Sequence, residues 1–293
     1  MQRRLLTAGA ALIAGALLCR FVVTDRWLDR IPRGWQIAGS YTGSQTYPDS
    51  TGVLPDRDAL GVYEREMRVV SATGRPRSVM VEDRFTIRDP ESRKVIWEYT
   101  TQAIVDPRTG ARLEPEYRGD YVVFPVNVQK GVYRLRTNYV KGVPLRYEGT
   151  ATLDGLETYV FGYFGYGEYT ESYAGSGDYP GVKVLPGQEI RCADDQFSYR
   201  VWVEPVTGEI VKLAEACSSG DYVFDVAAGT KLQAVDRWSG VTSGDALSHR
   251  LEEVRRQRLV RLWAASYGPL GLGLAGFVVV GMGARPRRPR SAA

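Results

Sequence analysis

The chain has 293 residues, 44% of them hydrophobic and 25% charged, with a formal net charge of +4, 18 Tyr, 32 Gly and 15 Pro. That length admits one or two cores, and the Tyr- and Gly-rich mixture favours strands joined by turns over long soluble helices. The small net charge, with Arg gathered at the two ends and no basic stripe through the middle, argues against a nucleic-acid partner.

From the N-terminus, Arg3 and Arg4 precede an apolar run from Leu5 to Leu18 that extends to Val23 around Arg20. This is the layout of a signal sequence. No small-x-small site stands ahead of Arg20, however, and Leu18 occupies the place before Cys19 where a lipobox carries a small residue. An uncleaved signal anchor over residues 1–25 is expected.

Residues 26–242 follow as a β-rich domain. Val62–Val70, Ser78–Arg88, Lys94–Val105, Tyr121–Val126, Val132–Asn138, Leu145–Leu153 and Thr158–Tyr163 are rich in β-branched and aromatic residues and are separated by turn signals. Asp154-Gly155 between two such runs is a strong hairpin signal. The stretch Tyr99–Gly110, ending Asp106-Pro107-Arg108-Thr109-Gly110, echoes Tyr199–Gly208, ending Glu204-Pro205-Val206-Thr207-Gly208. Pro pre-sets φ and Gly accepts a positive φ three residues later, so each copy reads as a turn after a strand. The echo predicts two related β units, about 57–120 and 145–235, in one pseudo-symmetric sheet assembly.

Cys192 and Cys217 bracket the segment expected to form the hairpin Phe197–Leu213 and are placed for a disulfide, which persists in an oxidising space. Two free buried thiols are the alternative. The run from Tyr159 to Tyr173 sets Tyr159, Phe161, Tyr163, Phe164, Tyr166, Tyr169 and Tyr173 among glycines. Such side chains join an apolar face to a polar tip, which suits a sugar, an acyl chain or a protein partner, although ordinary strand and core packing is the more common reason for them.

Ser243-Gly244-Asp245 opens a helix over 243–283 that continues through Arg250–Arg261 into an uncharged stretch, Leu262 to Met282, long enough to span roughly 30 Å of hydrocarbon. The basic tail 284–293 fits a cytoplasmic flank. The expected topology places both termini in the cytoplasm and the β domain outside the plasma membrane. Small residues at helical spacing, Ala11 with Gly15 and Gly271 with Ala275, would let the two apolar helices approach each other or a partner.

The stretch Trp202–Val211, with Phe124-Pro125, Tyr147-Glu148-Gly149 and Asp154–Phe161 in the same order, resembles the actinobacterial PorA family over most of the chain. The resemblance implies an envelope protein whose extracytoplasmic domain lies between two helices, and it brings no catalytic residues. The sequence does not suit a transmembrane barrel, because charges fall on both faces of strands such as Val79–Arg88.

His249 is the only histidine and lies outside the β units, which removes histidine-based triads and histidine-rich zinc sites. The neighbours Glu82 and Asp83 point to opposite faces of a strand and do not share a site. The fold class expected is therefore mainly β: an extracytoplasmic antiparallel β domain with an internal repeat, flanked by transmembrane helices. No enzyme activity, cofactor or metal is expected. The favoured function is binding of an envelope lipid or glycolipid, ahead of docking to a membrane-protein partner and, last, a channel.

Overall fold

The computed structural model describes residues 2–23, 31, 35–46, 59–72, 78–88, 93, 95–135, 143–166, 184–192, 196–217, 221–234, 237–242 and 244–284. Helix α1 (Gln2–Leu18) leads into a π-helical turn, Cys19–Val23. Strands β1 (Gln36–Thr46), β2 (Ala59–Ala72), β3 (Val79–Arg88), β4 (Val95–Val105), β5 (Asp120–Tyr121), β6 (Val132–Leu135), β7 (Val143–Leu153) and β8 (Leu156–Tyr166) follow. After them come β9 (Gln188–Cys192), β10 (Gln196–Val203), β11 (Ile210–Cys217), β12 (Asp221–Asp225), β13 (Thr230–Ala234) and β14 (Arg237–Thr242). Helix α2 (Gly244–Leu262), a second π-helical turn (Trp263–Tyr267) and α3 (Gly268–Ala284) end the described chain. The chain divides into two units, Met1–Asp29 with Arg256–Ala293, and Arg30–Arg255.

In the first unit α1 and α3 pair antiparallel. A methyl group added at Gly9 would come within 2.8 Å of the Gly276 carbonyl oxygen, and one at Gly276 would meet Ile13 at 2.7 Å. Gly283 faces Leu5 and Leu6, and Gly273 faces Ala16, so the seam runs along Gly9, Ile13 and Ala16 on one helix and Gly273, Gly276 and Gly283 on the other. Close packing through glycine is how apolar helices associate where no hydrophobic effect separates them from their solvent. The pairs expected from spacing are not the seam, since Gly15 and Gly271 face open space. The π-helical turn before α3 has a local cause. Pro269 offers no N–H to the preceding turn, and the Gly268 N–H reaches back five residues to the Trp263 carbonyl.

In the second unit eleven strands form one antiparallel sheet apart from its last pair, in the order β4-β3-β2-β1-β14-β11-β10-β8-β7-β6-β5. A three-stranded sheet, β13-β12-β9, stands separately. The edges of the large sheet are joined through residues 111–112, where Arg112 bridges Val105 of β4 and Ala111 bridges Tyr121 of β5. Leu113 N–H donates to the Ile104 carbonyl, Ile104 N–H donates to Glu114, and Arg112 clamps Glu114 at 2.7 Å while lying over the Tyr117 ring. That seam closes the sheet on itself.

The two turns predicted from the echo have nearly the same geometry. Asp106 N–H donates to Ala111 O at 2.9 Å, as Glu204 N–H does to Glu209 O. Gly110 N–H donates to Asp106 O as Gly208 N–H does to Glu204 O, and the two glycines sit at φ 74° and 75°. The likeness extends beyond the turns. Ile31 N–H donates to Pro107 O and Val128 N–H to Pro205 O, while Val69 of β2 donates to Trp35 O and Tyr147 of β7 to Gly131 O. Both β2 and β7 carry a bulge directly after that residue. The strands β1-β2-β3-β4 thus correspond to β6-β7-β8-β10, and the small sheet is an insertion in the second copy. Matching the turns aligns Tyr199 with Thr101, two positions from the alignment suggested by the tyrosines.

Between the copies runs a segment that does not form the expected strand Tyr121–Val126. Only Asp120–Tyr121 pairs as β5. Beyond it the backbone is used by the turns: Val122 N–H donates to Gly110 O, Asn127 N–H to Val206 O and Val128 N–H to Pro205 O. Pro125 has no N–H to give to a ladder. Val122, Val123, Phe124 and Val128 are buried, so the segment belongs to the core it divides.

Asp154 and Gly155 both have positive φ, 45° and 77°, and close the two-residue β7–β8 hairpin in the type I′ form. Gly155 faces open space, whereas a methyl at Gly208 would lie 2.1 Å from the Pro125 oxygen. Gly155→Ala is therefore expected to cost about 1 kcal/mol, from backbone strain alone, and Gly208→Ala about 3 kcal/mol or more, from strain plus collision. Denaturant melts of the two variants check this, and equal losses would contradict the clasping role of the Gly208 turn.

Candidate functional site

The interior of the closed sheet has two contrasting halves. In one, Phe124, Leu135, Leu145, Phe161, Val201 and Val203 are buried together, and the rings of Phe124, Tyr133 and Phe161 lie 5.0 to 5.5 Å apart in tilted or edge-on contact. In the other, Met67, Val81, Ala103, Val105 and Val123 form a smaller cluster. Beside it the inward positions turn ionic. Arg65 of β2 grips Asp83 of β3 bidentately, Nε to Oδ1 at 3.0 Å and Nη2 to Oδ2 at 2.7 Å, and Asp83 is 7% exposed. Glu215 of β11, on the same face of its strand as Leu213, is pushed up from 4.5 to about 7, chiefly by burial and against the pull of Arg65.

A second ionic group sits where α2 meets the sheet. Leu251 and Val254 pack on Leu156 and Val211, which seats the first turns of the helix on the body. Arg250 then lies between Glu209 and Glu253, bonds to Glu253 at 2.8 Å and donates its Nε–H to the Ile210 carbonyl at 3.0 Å. Glu209 is 2% exposed. Burial opposes the charge on Arg250, and the two carboxylates outweigh it, holding the guanidinium above its ordinary pKa. Arg255 bonds the carbonyl and carboxylate of Asp154 at the β7–β8 hairpin.

Between these two groups lies a cavity of about 180 Å³. Its walls come from β1, β2, β6, β11, β14, the 122–123 segment and α2: Ile37, Met67, Val122, Val123, Leu135, Ile210, Val211 and Leu213 supply apolar surface. Arg65, Thr242, Glu209, His249, Arg250 and Glu253 supply the polar groups. Apolar walls with a few convergent polar groups are the usual make-up of a small-ligand site.

Of the aromatic residues named from sequence, Tyr159, Phe161, Tyr163 and Phe164 stand elsewhere. Phe161 is 0% exposed at the centre of the ring cluster, and Tyr159 and Tyr163 pack beside it. Phe164 points outward at 71% exposure. The side chain of Tyr166, and Tyr169 and Tyr173 entirely, lie outside the described residues. Cys192 ends β9 in the small sheet and Cys217 ends β11 in the large one, so they are not on the two strands of one hairpin; their side chains also lie outside the described residues. Cys19 is in no disulfide. His249, set aside for its distance from the β units in sequence, lines the cavity because α2 folds back onto the sheet.

The outward faces are charged. Arg68 pairs with Glu82 at 2.8 Å, Arg88 with Glu64 at 2.9 Å, and Arg200 with Glu148 at 2.8 Å across Gly162, whose missing side chain leaves room for the Glu148 carboxylate.

A family model described as Porin PorA matches residues 3–285. The chain belongs to the Porin PorA family. No curated protein matches it. Among solved structures, a protein described as exported and of YmcC-like fold, from Bacteroides fragilis, aligns with 72% of this chain and 95% of its own at 11% identity. With a TM-score of 0.29 that likeness is too loose to support any step. In this member of the Porin PorA family, strands with ion pairs outside and packed rings inside do not have the faces of a water-filled membrane barrel, where a lipid-facing Arg or Lys costs about 2–4 kcal/mol at mid-bilayer.

Because Glu215 keeps its proton to a higher pH in the folded chain than in the unfolded one, the folded state binds more protons between pH 4.5 and 7, and stability falls as pH rises through that window. Melting temperatures of the wild type relative to Glu215→Gln are expected to decline from pH 4.5 to 8. Parallel profiles for the two proteins would show that Glu215 is not the group responsible.

Proposed function

We propose that this chain is an envelope membrane protein whose β body is a non-enzymatic module that holds part of a lipid or glycolipid in the cavity beneath α2. The observation that carries this reading is the cavity itself, apolar-walled, with ionic groups at its ends. Its size of about 180 Å³ exceeds a dry engineered cavity of roughly 150 Å³ that takes benzene and falls short of drug-sized sites of roughly 300 Å³ or more. It therefore suits one apolar moiety, such as a short or branched acyl segment, and not a two-chain lipid.

The two terminal helices supply the membrane part of the reading. Both are long and apolar enough to cross a bilayer, and their antiparallel seam brings Gln2 and Ala284 to the same end of the pair. Phe21, Trp263 and Tyr267 are exposed near the other end with Arg20 among them, a composition suited to the membrane–water boundary. Both termini are placed in the cytoplasm and the β body outside the plasma membrane. In that oxidising space Cys192 and Cys217 pair, and alkylation of the unreduced protein labels Cys19 alone. A second reading, an accessory subunit docking through its helices on another membrane protein, draws on the outward apolar faces left beyond the glycine seam, at Leu270, Leu274 and Phe277.

Native mass spectrometry of the full chain released from detergent is expected to show a lipid or glycolipid at near one per chain, removable by organic extraction. Ala246→Phe, which places a ring in the cavity from α2, is expected to abolish that adduct while leaving the melting temperature equal or higher. A wild-type chain without an adduct, indifferent to added envelope lipid, would overturn the binding reading and favour the docking one.

A further inference from the structure

At the end of the helix pair from which the chain continues through residues 24–255, cations outnumber anions. The stretches 20–29 and 256–267 hold five arginines, Arg20, Arg26, Arg256, Arg258 and Arg261, against two carboxylates, Asp25 and Asp29. The excess of three positive charges stands whichever of these groups pair with one another. Arg20, in the π-helical turn that ends α1, lies over the Phe21 ring at 5.8 Å. That turn packs against the one at Trp263–Tyr267.

The helix that carries Arg256 presents an ordered face. The exposed side chains Arg256, Val260, Trp263, Tyr267, Leu270 and Leu274 follow one another three or four residues apart, so they form one stripe along α2, the π-helical turn and α3. The stripe begins with a cation, passes two aromatic rings and ends in aliphatic side chains. Trp263 is fitted to its place, since its ring lies over Gly268, where a methyl group would come within 3.1 Å of ring carbons. Counting back about 20 residues from Ala284, the length that crosses roughly 30 Å of hydrocarbon, puts the apolar edge near Ala264. Arg261, Arg258 and Arg256 then follow within about 12 Å along the axis, close enough for long side chains to reach the headgroup layer. Trp263 and Tyr267 fall at the boundary itself, where such rings concentrate.

We propose that this end of the helix pair is a site for an anionic phospholipid, whose phosphate lies among Arg256, Arg258 and Arg261 and whose acyl chain lies along Tyr267, Leu270 and Leu274. From phosphate to tail a phospholipid has the same order of polarity as the stripe. The guanidinium fork matches phosphate oxygens two at a time, and the excess positive charge favours a lipid that carries a net negative one. A zwitterionic lipid brings its own ammonium group into the same place and gains less. The site shares no residue with the cavity beneath α2 and stands or falls separately from it.

The test uses the full chain with Ala246→Phe, so that the cavity is filled, reconstituted in nanodiscs of phosphatidylglycerol and phosphatidylcholine in equal amounts and released into native mass spectrometry. The first lipid retained is expected to be phosphatidylglycerol by about fivefold or more, the preference that one cation near an anionic surface supplies. Arg256→Gln with Arg261→Gln is expected to bring the ratio close to one, whereas Arg3→Gln with Arg4→Gln, at the opposite end of the pair, leaves it unchanged. Melting temperatures identify any variant that has lost its fold, and Arg256→Gln alone, at an exposed position, then carries the comparison. The absence of a preference would overturn the site. So would a preference that survives the Arg256 and Arg261 substitutions, or one that falls equally with Arg3 and Arg4. A chain that shows the preference but no adduct in the wild-type cavity would keep this site and overturn the cavity reading alone.

Discussion

The β body depends on one short stretch of backbone, the segment from Val122 to Val128, held between two turns of the same design. Its N–H groups satisfy carbonyls of both turns, and its side chains fill both clusters of the interior. Each turn presses a glycine against it, Gly110 on Val123 and Gly208 on Phe124 and Pro125. A side chain at either glycine would part the turn from the segment, and the positive φ at both makes glycine the residue that fits without strain. A buried backbone must find partners for its N–H and C=O groups, and here the turns provide what a strand ladder would have provided. The two copies are joined by this shared use of one segment, so neither carries a complete core by itself.

That arrangement explains why the interior is divided as it is. The second copy, with β10 and β11 in mid-sheet, is flanked by strands on both sides and closes over Phe124, Tyr133 and Phe161. The first copy has β4 at the edge, completed only by the bridge through residues 111–112, and its interior receives α2 instead of a further layer of rings. Space and charge are left on that side. The ion pair of Arg65 with Asp83 and the protonated state favoured by Glu215 both follow from polar groups confined where the matching half is hydrocarbon.

Much of this fold was legible in the chain. Alternation and turn residues located most of the strands, and the repeated acidic residue, Pro and Gly located the two turns that organise the body. The segment after Tyr121 was misread as a strand because Val122, Val123 and Val126 satisfy strand preference, while the demand on their N–H groups comes from turns far away in sequence. The helix seam was not legible, because any residue four positions from another shares its face, and Gly9 with Gly276 differ from Gly15 with Gly271 in what lies opposite. Of the aromatic run, Phe161 is buried in the ring cluster while Phe164 points outward, a difference that strand alternation sets and composition does not reveal. The cavity had no local signal. Arg65 on β2, Glu209 in the turn before β11 and Arg250 on α2 are joined by no spacing in the sequence.

The word porin in the family description has to be reconciled with these faces. A membrane barrel is apolar outside and wet within, whereas this sheet carries Arg68, Glu82, Arg88, Arg200 and Glu148 in ion pairs outside and tilted and edge-on rings within. The parts of the chain that do have an apolar exterior are the two helices, and their seam is closed by glycine contact at Gly9 and Gly276, too tight for a water path between them. Among the described residues, neither the glycine seam of the helices nor the ring cluster of the sheet leaves a path for water.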